Sequence, residues 1–331
     1  MTAPQTSQPW LRAALGVGIS AIFVAATVRT IDLELMAVAW EAVGFGLVAL
    51  AALISFAEVG VRAARWRILL SSLGPVGYAT VLGYLAIGHL ANAILPARLG
   101  DVARGLITGV RLRVPRVSVL GTIAVERISD AGLLGLAVAI GVLVGFRQFA
   151  LSIAILAGVV VAGAAAILIA FVALRQGSAA STRVAGLVRH HGSRFWIGAT
   201  GFRSRRDAIL WTVLTIVSFG LTVVIFSIVA MAVGLAIPIW QAALIIAAVT
   251  LSLAVPAGPA SVGTYEFVGV TVMASMGFAP EQSLLCVALV HAVVVVPPSS
   301  LGLAAVWWLG VRTHAPLLLD PGYEPASERV G

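Results

Sequence analysis

Lysine is absent from this chain: all 21 basic residues among its 331 are arginines. Charge of either sign is scarce, at 10% of residues, and cysteine occurs once, as Cys286. A lone cysteine in an apolar run excludes an internal disulfide, and it has none of the neighbours a metal or redox centre requires, so neither metal nor cofactor is expected. The shortage of charge excludes a soluble globule of this size, because 60% of residues are apolar and the mean hydropathy is +1.08. A net charge of +8 without lysine reads as compositional bias and not as a nucleic-acid surface. Beside apolar runs, an arginine excess instead carries topology and affinity for anionic lipid head groups. What remains is an all-α polytopic membrane protein.

Apolar runs of about 20 residues place crossings near 9 to 28, 43 to 61, 117 to 145, 150 to 174, 208 to 236 and 281 to 310. The first is read as a retained helix, since no small-residue cleavage site followed by a soluble domain accompanies it. Short cytoplasmic loops carry the arginine excess. Arg62, Arg65 and Arg67 form one such cluster, Arg111, Arg113 and Arg116 a second, and the seven arginines of the basic loop 175–207 a third. Segment 29 to 42 holds Asp32, Glu34 and Glu41 against Arg29 alone and reads as external. Both termini then lie in the cytoplasm of a multi-pass protein of the cytoplasmic membrane. The tail 313–331, rich in Pro, Glu and Ser, reads as disordered.

Two apolar stretches are interrupted by Pro and Gly and closed by a carboxylate: NAILPARLGD at 92 to 101 and LSLAVPAGPASVGTYE at 251 to 266. Pro96, Gly100, Pro256 and Pro259 deny the backbone a continuous helix, which lipid tolerates only around a cavity. Both flanks of the first stretch carry inside-type charge, so a hairpin that enters and leaves on the cytoplasmic face resolves the topology. The flanks of the second, GLAIPIW and GFAPE, hold no arginine and put that hairpin on the outer face. Pro96 and Pro256 lie 160 residues apart. The expected plan is therefore an inverted repeat in one membrane domain, 1–312, with repeat A at 9–145 and repeat B at 150–310. It contains six full crossings and two re-entrant helical hairpins, the plan of many secondary transporters. Eight plain transmembrane helices are the alternative.

A charge at bilayer depth costs about 2.5 kcal/mol or more, yet Glu58, Arg98, Asp101, Glu126, Arg127, Asp130, Glu266 and His291 all fall in or beside apolar runs. Glu126 and Asp130 are four apart and share a helix face, with Arg127 about 100° away. One expectation is mutual pairing, with Arg98 or Arg127 neutralising Asp101, Glu126 or Glu266. The other is a polar chamber in which Arg98 and Arg127 bind the phosphate of a lipid, because guanidinium presents a charged planar fork that matches phosphate oxygens. A helix starting near Ser261 would point its positive end at that anion. Glu266 would alternate between pairing with an arginine and being protonated; Glu266, Asp101 and His291 are the candidates for proton coupling. His89 reads as a hydrogen-bonded core residue. Trp307 and Trp308 read as an interfacial belt, and Pro297 with Pro298 as a kink.

Arg62, Arg65, Trp66, Arg67 and Leu70, then Asn92, Pro96, Arg98, Gly100, Asp101 and Arg104, resemble the first two signatures of the flippase-like membrane domain, also named the lysylphosphatidylglycerol synthase transmembrane region. Glu126, Arg127 and Asp130, and then Pro256, Gly258, Gly263 and Glu266, resemble the remaining two. The last signature departs from the commoner Pro-Gly-Gly form. The resemblance covers about 60 to 310 and lacks the soluble aminoacyl-transferase part that some members carry. It implies a protein that moves, or helps to move, a lipid-linked group. Under it, Asn92, Arg98, Asp101, Arg104, Glu126, Arg127, Asp130, Gly258, Gly263 and Glu266 form the substrate-binding set, and Arg62, Arg65 and Arg67 a head-group or topology cluster.

Three functions follow as expectations. The first is a non-enzymatic lipid flippase-like transporter for an anionic phospholipid or a polyisoprenyl-phosphate-linked lipid, whose partners are membrane lipids. The second is an accessory membrane subunit that binds a lipid- or envelope-modifying enzyme through the loop 175–207. The third, an intramembrane lipid transferase, needs a paired acid and base with a metal or activated donor. Neither a His cluster, a metal-spaced carboxylate set nor a nucleotide loop is found for it.

Overall fold

The computed structural model describes residues 9–95, 99–144, 201–253 and 257–313. These residues form ten α-helices and one 3-10 turn, with no strand among them: α1 (Pro9–Val28), α2 (Leu33–Glu41), α3 (Phe45–Ser71), α4 (Tyr78–Ile94), α5 (Gly100–Leu112), α6 (Arg116–Val144), α7 (Arg205–Ala232), α8 (Ile239–Ser252), the turn Pro259–Ser261, α9 (Thr264–Ser275) and α10 (Pro280–Thr313). Pro96, Arg98 and Pro256 lie outside the described residues, as do the crossing expected at 150 to 174, the basic loop through residue 200 and the tail from 314.

The chain is all-α. Helices α3, α7 and α10 are long and apolar enough to cross a bilayer. Helices α1 and α6, of 20 and 29 residues, have the length. Helices α4 and α8 are apolar but have only 17 and 14 residues, short of the roughly 20 that a span requires. Their partners α5 and α9 are shorter still, at 13 and 12 residues.

Local chemistry sets these limits. Leu95, ahead of Pro96, has φ −89° and ψ 139°; the proline ring clashes with a helical residue before it, so α4 ends there. At the start of α5 a Cβ on Gly100 would lie 2.2 Å from Gly88 O and 2.5 Å from Asn92 N, so only glycine lets the hairpin arms approach. Asn92 Oδ1 accepts the Gly100 N–H at 2.8 Å and satisfies one amide that a helix start leaves free. In the second hairpin Gly263, at φ 87°, turns the chain into α9.

Packing between the halves is reciprocal. Helix α3 packs along α7, α10 lies on α4, and α6 lies on α8. The last long helix of each half thus covers the first hairpin arm of the other. One apolar core, with Phe226, Ile245, Met273 and Val290, joins α7 to α10, and a second, with Val59, Trp66, Val81 and Val119, joins α3, α4 and α6. Outward positions such as Leu53, Ile216, Leu303 and Trp307 stay exposed, which in a membrane protein is the lipid-facing side.

Several boundaries differ from expectation. Helix α3 continues to Ser71, past the expected end at 61, so Arg62, Arg65 and Arg67 stand on a helix and not in a loop. The segment 29 to 42 contains α2, capped by Asp32 Oδ1 accepting the Glu34 and Leu35 N–H groups. The helix after the second break begins at Thr264 and not near Ser261. Helix α10 runs unbroken through Pro297 and Pro298.

Candidate functional site

Both broken hairpins border one cavity of about 200 Å³. Helix α4 contributes His89, Asn92 and Ala93; the second break contributes Ala260, Ser261 and Tyr265. The long helices close it with Glu58, Arg62 and Arg65 of α3, Arg127 and Asp130 of α6, Thr215, Ser218 and Thr222 of α7, and His291 of α10. The turn Pro259–Ser261 packs against α4, so the second break meets the first arm of the other hairpin at this space.

One wall is an arginine–carboxylate network. Arg65 Nη1 donates to Asp130 Oδ1 at 2.6 Å, and its Nη2 to Glu126 Oε1 at 3.3 Å. Arg104 Nη2 donates to Glu126 Oε2 at 2.9 Å, and its Nε lies 3.4 Å from Asp101 Oδ1. Arg127 Nη2 donates to Asp101 Oδ1 at 3.0 Å and its Nη1 lies 3.7 Å from Asp130 Oδ2. On α3, Arg62 pairs with Glu58, whose Oε1 also accepts from Ser218 Oγ at 2.7 Å. Arginines 62, 65, 104 and 127 thus meet Glu58, Asp101, Glu126 and Asp130, and the charges cancel, as burial in a low dielectric demands.

The network has two layers. The side chains of Arg65, Arg104 and Glu126 are 2–3% exposed. Arg104 lies over the Trp66 ring at 4.6 Å, and the Trp66 indole N–H donates to Thr122 Oγ1 at 3.0 Å. Arg127 and Arg62, at 39% and 27%, face the cavity. Arg127 Nε, Arg65 Nε, His89 Nε2 and Ser299 Oγ are buried beside that space with no hydrogen-bond partner among the described residues. Polar atoms in such positions are ordinarily satisfied by water or a ligand.

The opposite wall is held by Glu266 and His291. His291 Nδ1 lies 2.6 Å from Glu266 Oε1, and Nε2 lies 2.9 Å from Ala260 O. Glu266 Oε2 accepts the Gly263 N–H at 2.7 Å, and Tyr265 stacks on the imidazole at 4.3 Å. Gly258 N–H donates to Ser20 Oγ of α1 at 2.9 Å, pinning the break from the other side.

Several sequence expectations change here. Arg65 is not an interfacial anchor: it is buried, because its helix continues and turns it inward beside Glu126 and Asp130. Of that cluster, Arg67 alone stays outside, donating to Val76 O. Glu266 pairs with a histidine instead of an arginine, and its own carboxylate takes the amide at the start of α9, where an anion was expected. Asp101 pairs with Arg127, one of the pairings expected, and with Arg104 as well. Asn92 closes the hairpin through Gly100 and also lines the cavity. His89 lines the cavity with Nε2 unpartnered, in place of a satisfied core position. Thr215, Ser218, Thr222 and Tyr265 were not singled out. The signal for the first three was a polar stripe at i, i+3 and i+7 in an apolar helix, facing the stripe Ser55, Glu58, Arg62 and Arg65 on α3.

Over an alignment 96 positions long, covering 27% of its residues, the chain is 36% identical to the glycosyltransferase AglD of Haloferax volcanii, and the match spans only 15% of that protein. No solved structure matches. Residues 13–302 match the family described as the lysylphosphatidylglycerol synthase TM region, which takes in both hairpins, the arginine–carboxylate network and the Glu266–His291 pair. The chain belongs to the lysylphosphatidylglycerol synthase transmembrane-region family.

Proposed function

We propose that the chain is a non-enzymatic, flippase-like transporter of the cytoplasmic membrane that moves an anionic phospholipid or a polyisoprenyl-phosphate-linked lipid. The carrying observation is the meeting of two broken hairpins at one cavity with half-exposed arginines and unpartnered polar atoms on its walls. In this reading α4–α5 and α8–α9 are re-entrant hairpins, entered from opposite faces, within an inverted repeat of six crossings whose termini are cytoplasmic. The short arms and the reciprocal packing of the halves support it.

The head-group phosphate enters the cavity and takes donors from Arg127 and Arg62, the two arginines open to it. Their carboxylates are released in exchange, so the charge that enters replaces charge already paired. Arg65, Arg104 and Glu126 stay in place as the scaffold. Guanidinium suits this exchange because it remains charged when desolvated and meets phosphate through two parallel N–H groups. The acyl or prenyl tail stays in lipid beside the apolar outer faces.

The purified full chain in vesicles, with a panel of head-group-protected anionic lipids and polyisoprenyl phosphates, tests this. At least one lipid crosses, and Arg127→Ala and Arg62→Ala each slow it by about tenfold or more, the effect of one lost charge-assisted hydrogen bond. The reading fails if no lipid moves, or if both variants carry lipid at the parent rate.

A second reading is an accessory subunit, bound to a lipid- or envelope-modifying enzyme. It is favoured by the names of the family and the relative, a synthase region and a glycosyltransferase. It predicts that a modifying enzyme loses activity when the basic loop 175–207 is deleted, and keeps it in Arg127→Ala.

A further inference from the structure

We infer that Glu266 and His291 form a binding site for one proton, and that this proton latches the turn Pro259–Ser261 against the cavity. Ala260 O can only accept, so the contact at 2.9 Å requires a hydrogen on His291 Nε2. The 2.6 Å contact between Nδ1 and Glu266 Oε1 also requires a hydrogen, supplied either by an imidazolium or by a protonated carboxyl. Glu266 Oε2 already accepts from Gly263 N–H. In both arrangements the pair carries one proton more than a free carboxylate with a neutral imidazole, and its net charge is zero.

Loss of that proton to water in the cavity leaves a neutral imidazole with a single N–H between two acceptors. One contact must then break. The carboxylate is the stronger acceptor, so the N–H stays with Glu266, and Ala260 O faces the imidazole lone pair. That carbonyl belongs to a turn under backbone strain: Ala260 at φ 51° and Ser261 at φ 62° both occupy the left-handed region without being glycine. A strained turn released from its partner is the element able to move, and it lies on the cavity wall beside α4.

The neighbouring groups do not supply an equal site. On the ring face Tyr265 of α9 stacks at 4.3 Å, and Cys286, on α10 with His291, is buried in the apolar core. Across the cavity, α4 presents His89, and α3 presents Glu58, Arg62 and Arg65. From α6 come Arg127 and Asp130. Asp101 is held by Arg104 and Arg127, and Glu126 and Asp130 by Arg65, so each carboxylate there already has a guanidinium and no shared proton. Of the three proton-coupling candidates in the sequence, geometry thus selects Glu266 with His291 as a unit and sets Asp101 apart.

The latch stands without any lipid; its coupling to lipid movement rests on the transporter reading above. The test is hydrogen exchange of peptide 257–263 in the full chain held in nanodiscs, followed from about pH 5 to about pH 9. Protection, corrected for the intrinsic rate, is expected to be highest in acid and to fall about tenfold as pH rises, the population change of one lost hydrogen bond. Glu266→Gln donates an amide hydrogen to Nδ1 without titrating, so protection stays high at every pH. His291→Ala is low at every pH. A pH-independent parent, a Glu266→Gln variant that follows the parent, or a His291→Ala variant as protected as Glu266→Gln overturns the latch. If the exchange pattern holds and no lipid moves in vesicles, the transporter reading falls and the proton site stands. If lipid moves, its rate responds to an imposed pH gradient in the parent and not in Glu266→Gln; a response kept in Glu266→Gln overturns the coupling.

Discussion

Arg104 and Arg127 touch the same carboxylate, Asp101, yet they answer to different physics. Arg104 is sealed between Glu126 and the Trp66 ring, so Arg104→Ala leaves a buried carboxylate short of its partner and removes a stacked cation. Stability is expected to fall by about 3–5 kcal/mol, read as denaturation in detergent. Arg127, at 39% exposure, is screened by the cavity, and Arg127→Ala is expected to cost about 1 kcal/mol or less while lipid movement drops sharply. A structural role for both would instead give equal losses. Gly100→Ala is a third case: its Cβ would meet a backbone oxygen at 2.2 Å, and overpacking of this kind costs about 1–3 kcal/mol, visible as a lowered Tm. At this scale the sequence disclosed which residues are expensive, because charge in an apolar run always needs an explanation. It did not disclose the partners. Arg65 looked like part of a loop cluster because the apolar run stopped at 61, and only the inward turn of a longer helix places it between Glu126 and Asp130.

In the first hairpin one side chain, Asn92, bridges the break. Asn92 satisfies the Gly100 amide across the break, and Asn92→Ala removes that cap, worth about 0.5–2 kcal/mol in comparable helix starts. Exchange at the first turn of α5 is expected to quicken while the apolar core around Phe226 keeps its protection; hydrogen exchange resolved by peptide separates the two. Uniform loosening would contradict a local role. The breaks were legible in the sequence as Pro and Gly within apolar runs, and Leu95 stops α4 for the reason its following proline dictates. Less legible was the means of closing the second break. There Glu266 takes the Gly263 amide itself and recruits a histidine from α10, a residue 25 positions away.

Over the whole molecule, the reciprocal packing of α3 on α7, α10 on α4 and α6 on α8 ties the two halves together through their hairpins. If the hairpins enter from opposite faces, the starts of α4 and α8 lie on opposite sides of the membrane. Ala79 and Ala236 are exposed there, and Cys286, the one cysteine of the sequence, is buried. In a Cys286→Ala background, A79C is expected to react with an impermeant thiol reagent from the cytoplasmic side, and A236C from the outer side. Labelling of both from one face would contradict the inverted plan.

Composition, the Pro and Gly interruptions and the stranded charges were enough to specify an all-α membrane chain with a polar interior and its family resemblance, because each reflects a local cost that lipid imposes on backbone or charge. Which cations are locked, which face the cavity, and which histidine answers Glu266 depend on distances between helices far apart in the chain. Those distances exist only after packing brings α3, α6, α9 and α10 around one space, so the tertiary structure alone decided them.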